Sequence, residues 1–232
     1  WTKPEDTDIV DFANFLDSLD WPTKNRYVII FNEVNRGDEW EGEANPSEYA
    51  RILSYATLVF KSKNPDFFII SAGLDNASET SGNTYNQFAF MRLMDQEVGG
   101  IFNQIDGISS HSYPNPAFSQ PPTTLTQRSI SSFLFEQQEI AKYTNKKLPV
   151  FITETGWDQE IHGDTEIAQY FKEALEKVWN NPQIVAVTPF LLKADSGPFQ
   201  KFSFLKANNE KKEIFKMFEE LPKEKGSPMV SP

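Results

Sequence analysis

The chain has 232 residues, of which 39% are hydrophobic and 14% aromatic, enough apolar side chains for the core of one large domain or two small ones. Its formal net charge of −11 opposes binding to nucleic acid or an anionic membrane, and no apolar run approaches the roughly 18 residues that span a bilayer. With no cysteine and only two histidines, the sequence disfavours disulfide scaffolds and metal centres, and we expect neither a metal nor an organic cofactor.

Helices and strands are predicted to alternate along the chain. The strands are continuous apolar runs rich in β-branched and aromatic residues, whereas the helices carry apolar residues at three- and four-residue spacing. The predicted strands are 27–31, 67–73, 105–114, 148–157 and 184–192. The predicted helices are 8–19, 46–63, 85–98, 129–144, 165–179 and 210–221.

Strands that are apolar throughout and separated by amphipathic helices indicate an α/β fold with a parallel sheet covered by helices. A doubly wound sheet and a (β/α) barrel both fit this pattern. The sequence shows no internal domain boundary, so residues 1–221 are predicted to form one domain. Residues 222–232 are predicted to be a disordered tail.

Two glutamates follow core strands directly, Glu33 after the first and Glu154 at the end of the fourth. Each alone could be the first solvated residue after a strand. As a pair they predict a site, because parallel strands present their carboxyl ends to one rim. Partial burial there should raise the pKa of a carboxyl group, as a general acid requires. Two such carboxylates are typical of enzymes that cleave glycosidic bonds.

Aromatic side chains near the strand ends could provide flat surfaces for sugar rings. The candidates are Trp40, Tyr113, Trp157 and Phe190. Each could instead belong to the core, although Trp40 lies in a polar loop.

Two polar side chains complete the predicted site. Asn32, beside Glu33, could hold a sugar hydroxyl, and His111 ends the third strand in the sequence "HSYP". A lone histidine there could also be structural. The substrate predicted from the whole set is a carbohydrate.

The stretches "FNEVN" (31–35) and "ITETGW" (152–157) resemble the two catalytic strand ends of clan A glycoside hydrolases. Two longer stretches, "NEVNRGDEWEGEANPSEYARIL" (32–53) and "DGISSHSYPNP" (106–116), are similar to family 39-like and family 5-like members. "ETGW" is also similar to family 17 β-glucanases. The resemblance implies a (β/α)8 barrel in which Glu33 is the acid/base, Asn32 holds the substrate 2-hydroxyl and Glu154 is the nucleophile. It also implies that His111 and Tyr113 are site residues, with the tyrosine bonded to the nucleophile.

The resemblance spans the chain from the fourth barrel strand to the last helix, so the barrel is expected to be incomplete. We therefore expect the chain to be the C-terminal part of a longer protein whose N-terminal strands complete the barrel. The sequence departs from the clan at Val34, where a proline is usual, and at Phe190, which stands in for the usual tryptophan. The arginine usual on the second barrel strand would lie among the missing strands.

The predicted function is a retaining glycoside hydrolase that cleaves β-linked glycans by double displacement. This mechanism requires carboxyl groups about 5–5.5 Å apart, whereas about 6.5–9.5 Å would favour inversion. A non-catalytic carbohydrate-binding barrel or pseudoenzyme is the first alternative. An enzyme of phosphorylated metabolites or a metal-dependent hydrolase is less favoured, because the sequence has neither a glycine-rich phosphate loop nor a histidine cluster.

Overall fold

The computed structural model describes residues 2–223, which form five strands and seven helices. The strands are β1 (Arg26–Ile30), β2 (Phe67–Ser71), β3 (Gly107–His111), β4 (Val150–Glu154) and β5 (Ile184–Val187). The helices are α1 (Asp6–Asp17), α2 (Pro46–Lys63), α3 (Gln87–Glu97), α4 (Ile101–Gln104), α5 (Ser132–Ile140), α6 (Asp164–Lys177) and α7 (Glu213–Glu220).

The strands form one sheet in chain order, and the β1–β2 and β2–β3 pairs are parallel. Helices separate successive strands, so the predicted α/β class with a parallel sheet is confirmed. β3 is buried along its whole length, as expected for a strand covered on both faces. The predicted tail falls largely on residues 224–232, which lie outside the described part of the chain.

Local sequence signals explain where the elements begin and end. α2 starts at the predicted cap, since the Asn45 side chain accepts a hydrogen bond from the Glu48 amide and Pro46 takes the first helical position. β5 stops at Val187, earlier than predicted, because Pro189 lacks the N–H that a longer strand would need. The four-residue helix α4 was not predicted; it follows Gly100, whose φ is +77°.

The chain divides into two compact units. Unit 1 holds the residues up to Ser110 together with Glu136–Val150, and unit 2 holds His111–Phe135 together with the described residues from Phe151 onward. In unit 1, α2 packs against α1 and α3. In unit 2, α6 packs against α7.

Unit 1 has its core between α2 and the start of the sheet. The hydroxyl of the fully buried Tyr49 on α2 donates to the carbonyl of Ile30 at 3.1 Å and accepts from the amide of Ala72 at 2.7 Å. Burial raises the pKa of Tyr49, so this hydroxyl remains a neutral link between the ends of β1 and β2.

Unit 2 has an aromatic core beside β4. Trp157, Phe171 and Trp179 are almost completely buried and their rings contact one another. Across the described residues 2–223, no helix combines the length and the apolar character needed to cross a bilayer.

Candidate active site

The segment after β1 has an unusual backbone. Phe31 and Glu33 have φ values of +68° and +40°, in the left-handed region that disfavours residues with a Cβ. The conformation is held from both sides, because the Glu33 amide donates to Gly73 at 2.9 Å and its carbonyl accepts from the Arg36 amide at 2.9 Å. Such conformations carry a cost of about 1–3 kcal/mol each and are concentrated at functional sites.

The Glu33 side chain is mostly buried, with 13% of its surface exposed, and contacts the guanidinium of Arg36 at 3.1 Å. Arg36 also donates from Nε to Asp38 at 3.1 Å. The hydrogen bond with Asp38 and the negative charge of Glu33 outweigh burial and raise the pKa of Arg36 above its already high usual value. Glu33 therefore lies beside a permanently charged cation.

Glu33 was predicted from the sequence as a site residue, but two residues that organise its loop, Arg36 and Asn35, were not. The Asn35 amide nitrogen donates to the carbonyls of Asp75 and Tyr85, and its oxygen accepts from the Asp75 amide. Asn35 is completely buried, which fixes the path of the chain after Glu33. The only sequence signal was an arginine and an asparagine directly after the "NEV" stretch.

The other two predicted residues of unit 1, Asn32 and Trp40, differ in exposure. Asn32 is exposed at the end of the sheet. Trp40 is 2% exposed, and its indole donates to the Glu48 carboxylate at 2.8 Å. The Trp40 ring also meets the rings of Phe31 and Tyr49 nearly at right angles. Trp40 thus supports the loop from inside the protein.

In unit 2, three of the predicted residues lie together. The Tyr113 hydroxyl donates to Glu154 Oε2 at 2.9 Å, and His111 Nδ1 lies 3.7 Å from the same oxygen. His111 is 2% exposed and Tyr113 is 7% exposed, so both are held in place by packing. Their positions follow from the ends of β3 and β4, which carry His111 and Glu154.

Backbone and side-chain hydrogen bonds fix the surroundings of Glu154. The Thr155 hydroxyl donates to the carbonyl of Ser112 at 2.8 Å, joining the segments that follow β3 and β4. The Phe190 amide donates to the carbonyl of Thr155 at 2.9 Å, so the segment after β5 is joined to them as well.

The two remaining predicted aromatic residues differ in exposure. Trp157 is 1% exposed; its indole donates to the carbonyl of Gln120 at 2.8 Å, and its ring packs in the core of unit 2. Phe190 is half-buried, with its ring centroid 6.3 Å from that of Tyr113. Phe190 is therefore the more accessible of the two rings.

No protein-family model and no curated protein matches the sequence. Solved structures do match. A monomeric β-xylosidase from Caulobacter crescentus CB15 superposes with a TM-score of 0.68 at 15% identity, over 94% of this chain and 46% of the xylosidase. A family 39 glycoside hydrolase from Bacteroides cellulosilyticus WH2 gives 0.57 at 18% identity, over 81% of this chain and 38% of that protein.

The chain therefore shares its fold with part of each of these proteins. A β-glucanase from Saccharophagus degradans also matches, with a TM-score of 0.56 at 16% identity, over 93% of this chain and 59% of the glucanase. The predicted resemblance to clan A enzymes is thus confirmed at the level of the fold, and the five strands agree with an incomplete barrel. The chain spans less than half of the length of the first two proteins.

Proposed function

We propose that the chain carries the catalytic residues of a retaining glycoside hydrolase, with Glu154 as nucleophile and Glu33 as acid/base. The observation that carries the proposal is the contact set of Glu154: a carboxylate at the end of a parallel strand, bonded to the Tyr113 hydroxyl and close to the buried His111. The shared fold with a β-xylosidase and a β-glucanase supports the reaction class.

Glu154 has the features of a fixed nucleophile. A hydroxyl donor stabilises the ionised carboxylate that attack at an anomeric carbon requires, and it also restricts the rotation of the carboxylate. The Tyr113 ring is itself packed edge-on against Phe118 and Phe202, with centroids 5.1 and 6.5 Å away. The hydroxyl is therefore held where it meets Glu154 Oε2.

Glu33 takes the acid/base role in this proposal. It protonates the leaving oxygen in the first step and deprotonates the attacking water in the second. Each time Glu33 loses its proton, the guanidinium of Arg36 stabilises the carboxylate that forms. The left-handed backbone at Glu33 is a strained conformation of the kind that is concentrated at functional sites.

The proposed substrates are β-linked xylosides and glucans, which are the compounds that the names of the matching enzymes indicate. Exposed Asn32 is proposed to hold a sugar hydroxyl next to Glu33, and Phe190 to contact the sugar bound at Glu154. The roles of Trp40 and Trp157 as sugar-stacking rings stay predictions, and both rings are packed inside the protein.

Further barrel strands are proposed to cover the outer edge of β1. Within residues 2–223, β1 pairs with β2 alone, and an apolar groove of about 300 Å³ runs between β1 and α1. Phe12, Ile29 and Phe31 line this groove and are 64%, 43% and 38% exposed. In a protein that supplies these strands, the β1 amides should exchange hydrogen as slowly as those of β2; fast exchange confined to β1 would contradict this.

The reaction class is tested with aryl β-xylosides and aryl β-glucosides. Glu154→Gln and Glu33→Gln should each lower kcat by at least about a thousandfold, because each removes a group that reacts in the transition state. Glu166→Gln is the matched control, since Glu166 accepts a hydrogen bond from the Tyr170 hydroxyl at 2.8 Å on the exposed face of α6. Full activity of either site variant, or an α-configured first product by NMR, would overturn the proposal.

A further inference from the structure

An exposed aromatic side chain, Phe199, is linked through two other aromatic rings to the proposed nucleophile. It is 54% exposed and follows the turn at Gly197, ahead of the 3₁₀ turn Gln200–Phe202. Single exposed apolar residues are common on protein surfaces, so exposure alone indicates nothing. The surroundings of Phe199 are what distinguish it.

The Phe199 ring packs against Phe190, with centroids 5.2 Å apart and an interplanar angle of 70°. Phe190 in turn contacts the Tyr113 ring, whose hydroxyl bonds Glu154. A continuous row of aromatic rings therefore leads from the nucleophile to the surface of unit 2.

The segment that carries Phe199 is held to the rest of unit 2. The Ala194 amide donates to the Ser203 hydroxyl at 2.8 Å, and the Phe202 amide donates to the Phe199 carbonyl at 3.0 Å. Phe202 is 6% exposed and its ring centroid lies 5.6 Å from that of Phe190, so packing of Phe202 holds the segment in place. Phe199 is thus an exposed ring on an anchored segment.

A pyranose unit offers a flat face of C–H groups, and the negative face of an aromatic ring attracts such polarised hydrogens. Burying that face also removes apolar area of both partners from water. The centroid separations along the row, 5.2 and 6.3 Å, are those of rings in direct contact. A sugar chain that extends from Glu154 past Phe190 would therefore meet Phe199 next.

We propose that Phe199 forms a further sugar-binding position, which takes a pyranose unit of a β-linked oligosaccharide outside the pair of sugars that flank the cleaved bond. The proposal rests on the proposed function, because Glu154 defines where the cleaved bond lies. It makes the protein selective for oligosaccharides over aryl monoglycosides.

The test compares Phe199→Ala with the wild-type protein on two kinds of substrate, xylotetraose or cellotetraose and the corresponding aryl monoglycoside. We expect the ratio of kcat/KM for the tetrasaccharide to kcat/KM for the monoglycoside to fall by about 5- to 50-fold, mainly through KM. Phe199→Trp, which keeps a flat ring, should restore the ratio.

Phe15→Ala is the matched control, since Phe15 is 59% exposed on α1 in unit 1. It should leave both substrates unaffected. An unchanged ratio in Phe199→Ala would overturn the inference and leave the proposed function standing. If the wild-type protein hydrolyses neither substrate, calorimetry with xylotetraose and cellotetraose decides: weaker binding by Phe199→Ala supports the sugar position, and equal binding of both ligands, or binding of neither, refutes it.

Discussion

Tyr113→Phe removes one oxygen atom from the proposed site and leaves the ring in place. The hydroxyl that is lost donates to Glu154 Oε2 at 2.9 Å. The ring remains packed against Phe118, Phe190 and Phe202, so the fold should be retained. The substitution therefore removes the hydrogen bond to the proposed nucleophile and keeps the aromatic ring.

The expected loss follows from the charge of the acceptor. A hydrogen bond to an ionised group contributes about 1.5–3 kcal/mol, which corresponds to about a 10- to 150-fold change in rate when the bond orients the reacting carboxylate. Since the hydroxyl contacts the nucleophile rather than a remote part of the substrate, the loss should appear mainly in kcat.

The assay is steady-state hydrolysis of an aryl β-glycoside, with thermal unfolding as a check on stability. Tyr170→Phe is the matched control, because it also removes a hydroxyl bonded to a glutamate, at 2.8 Å, but on α6. The control should retain kcat within twofold. If Tyr113→Phe also retains kcat within twofold while its unfolding temperature is unchanged, the assigned role of the hydroxyl is wrong.

Three further substitutions test other parts of the account. Arg36→Gln should lower kcat by about 5- to 30-fold in the same assay with little change in KM, because it removes the cation beside Glu33. Trp157→Ala should destabilise the protein by about 3–5 kcal/mol in urea unfolding, since the indole is buried in the core. Burial alone would raise the pKa of Glu48, but hydrogen bonds from Lys3 and Trp40 lower the pKa below its usual value. The ionised Glu48 carboxylate therefore stabilises the folded protein at neutral pH, and this stabilisation is lost as pH falls below the usual carboxyl pKa. Glu48→Gln should accordingly lower the free energy of unfolding by less than about 1 kcal/mol at pH 7, and by a smaller amount at pH 3.5. An equal loss at both pH values would contradict this.

The alternation of strands and helices could be predicted from the sequence because each element has a strong local pattern. β2 is a run of apolar residues, and α2 carries both its apolar stripe and its cap, so both were placed to within a few residues. The end of β5 was misplaced because the apolar run continues beyond Pro189, and apolar character alone does not show where pairing stops.

The candidate site was predictable only in part. The strand ends put Glu154 and His111 at the same rim, whereas the bond between Tyr113 and Glu154 was expected only from the resemblance to clan A enzymes. The contact between Arg36 and Glu33 was not predictable, because it depends on a left-handed backbone at a position where no glycine signals it.

The exposure of the tryptophans was harder still to predict. Trp40 lies in a polar stretch, yet it is buried because Glu48 supplies an acceptor for its indole N–H. Trp157 is buried for the same reason, with the Gln120 carbonyl as acceptor. A sequence pattern does not show such long-range partners.

Covalent labelling tests whether Glu154 is the nucleophile. The protein is incubated with a 2-deoxy-2-fluoro β-glycoside that carries a good leaving group, digested, and analysed by mass spectrometry. If Glu154 is the nucleophile, we expect time-dependent inactivation and a fluoroglycosyl adduct on Glu154. An adduct on any other residue, or full turnover of the reagent by an active enzyme without a trapped intermediate, would contradict it.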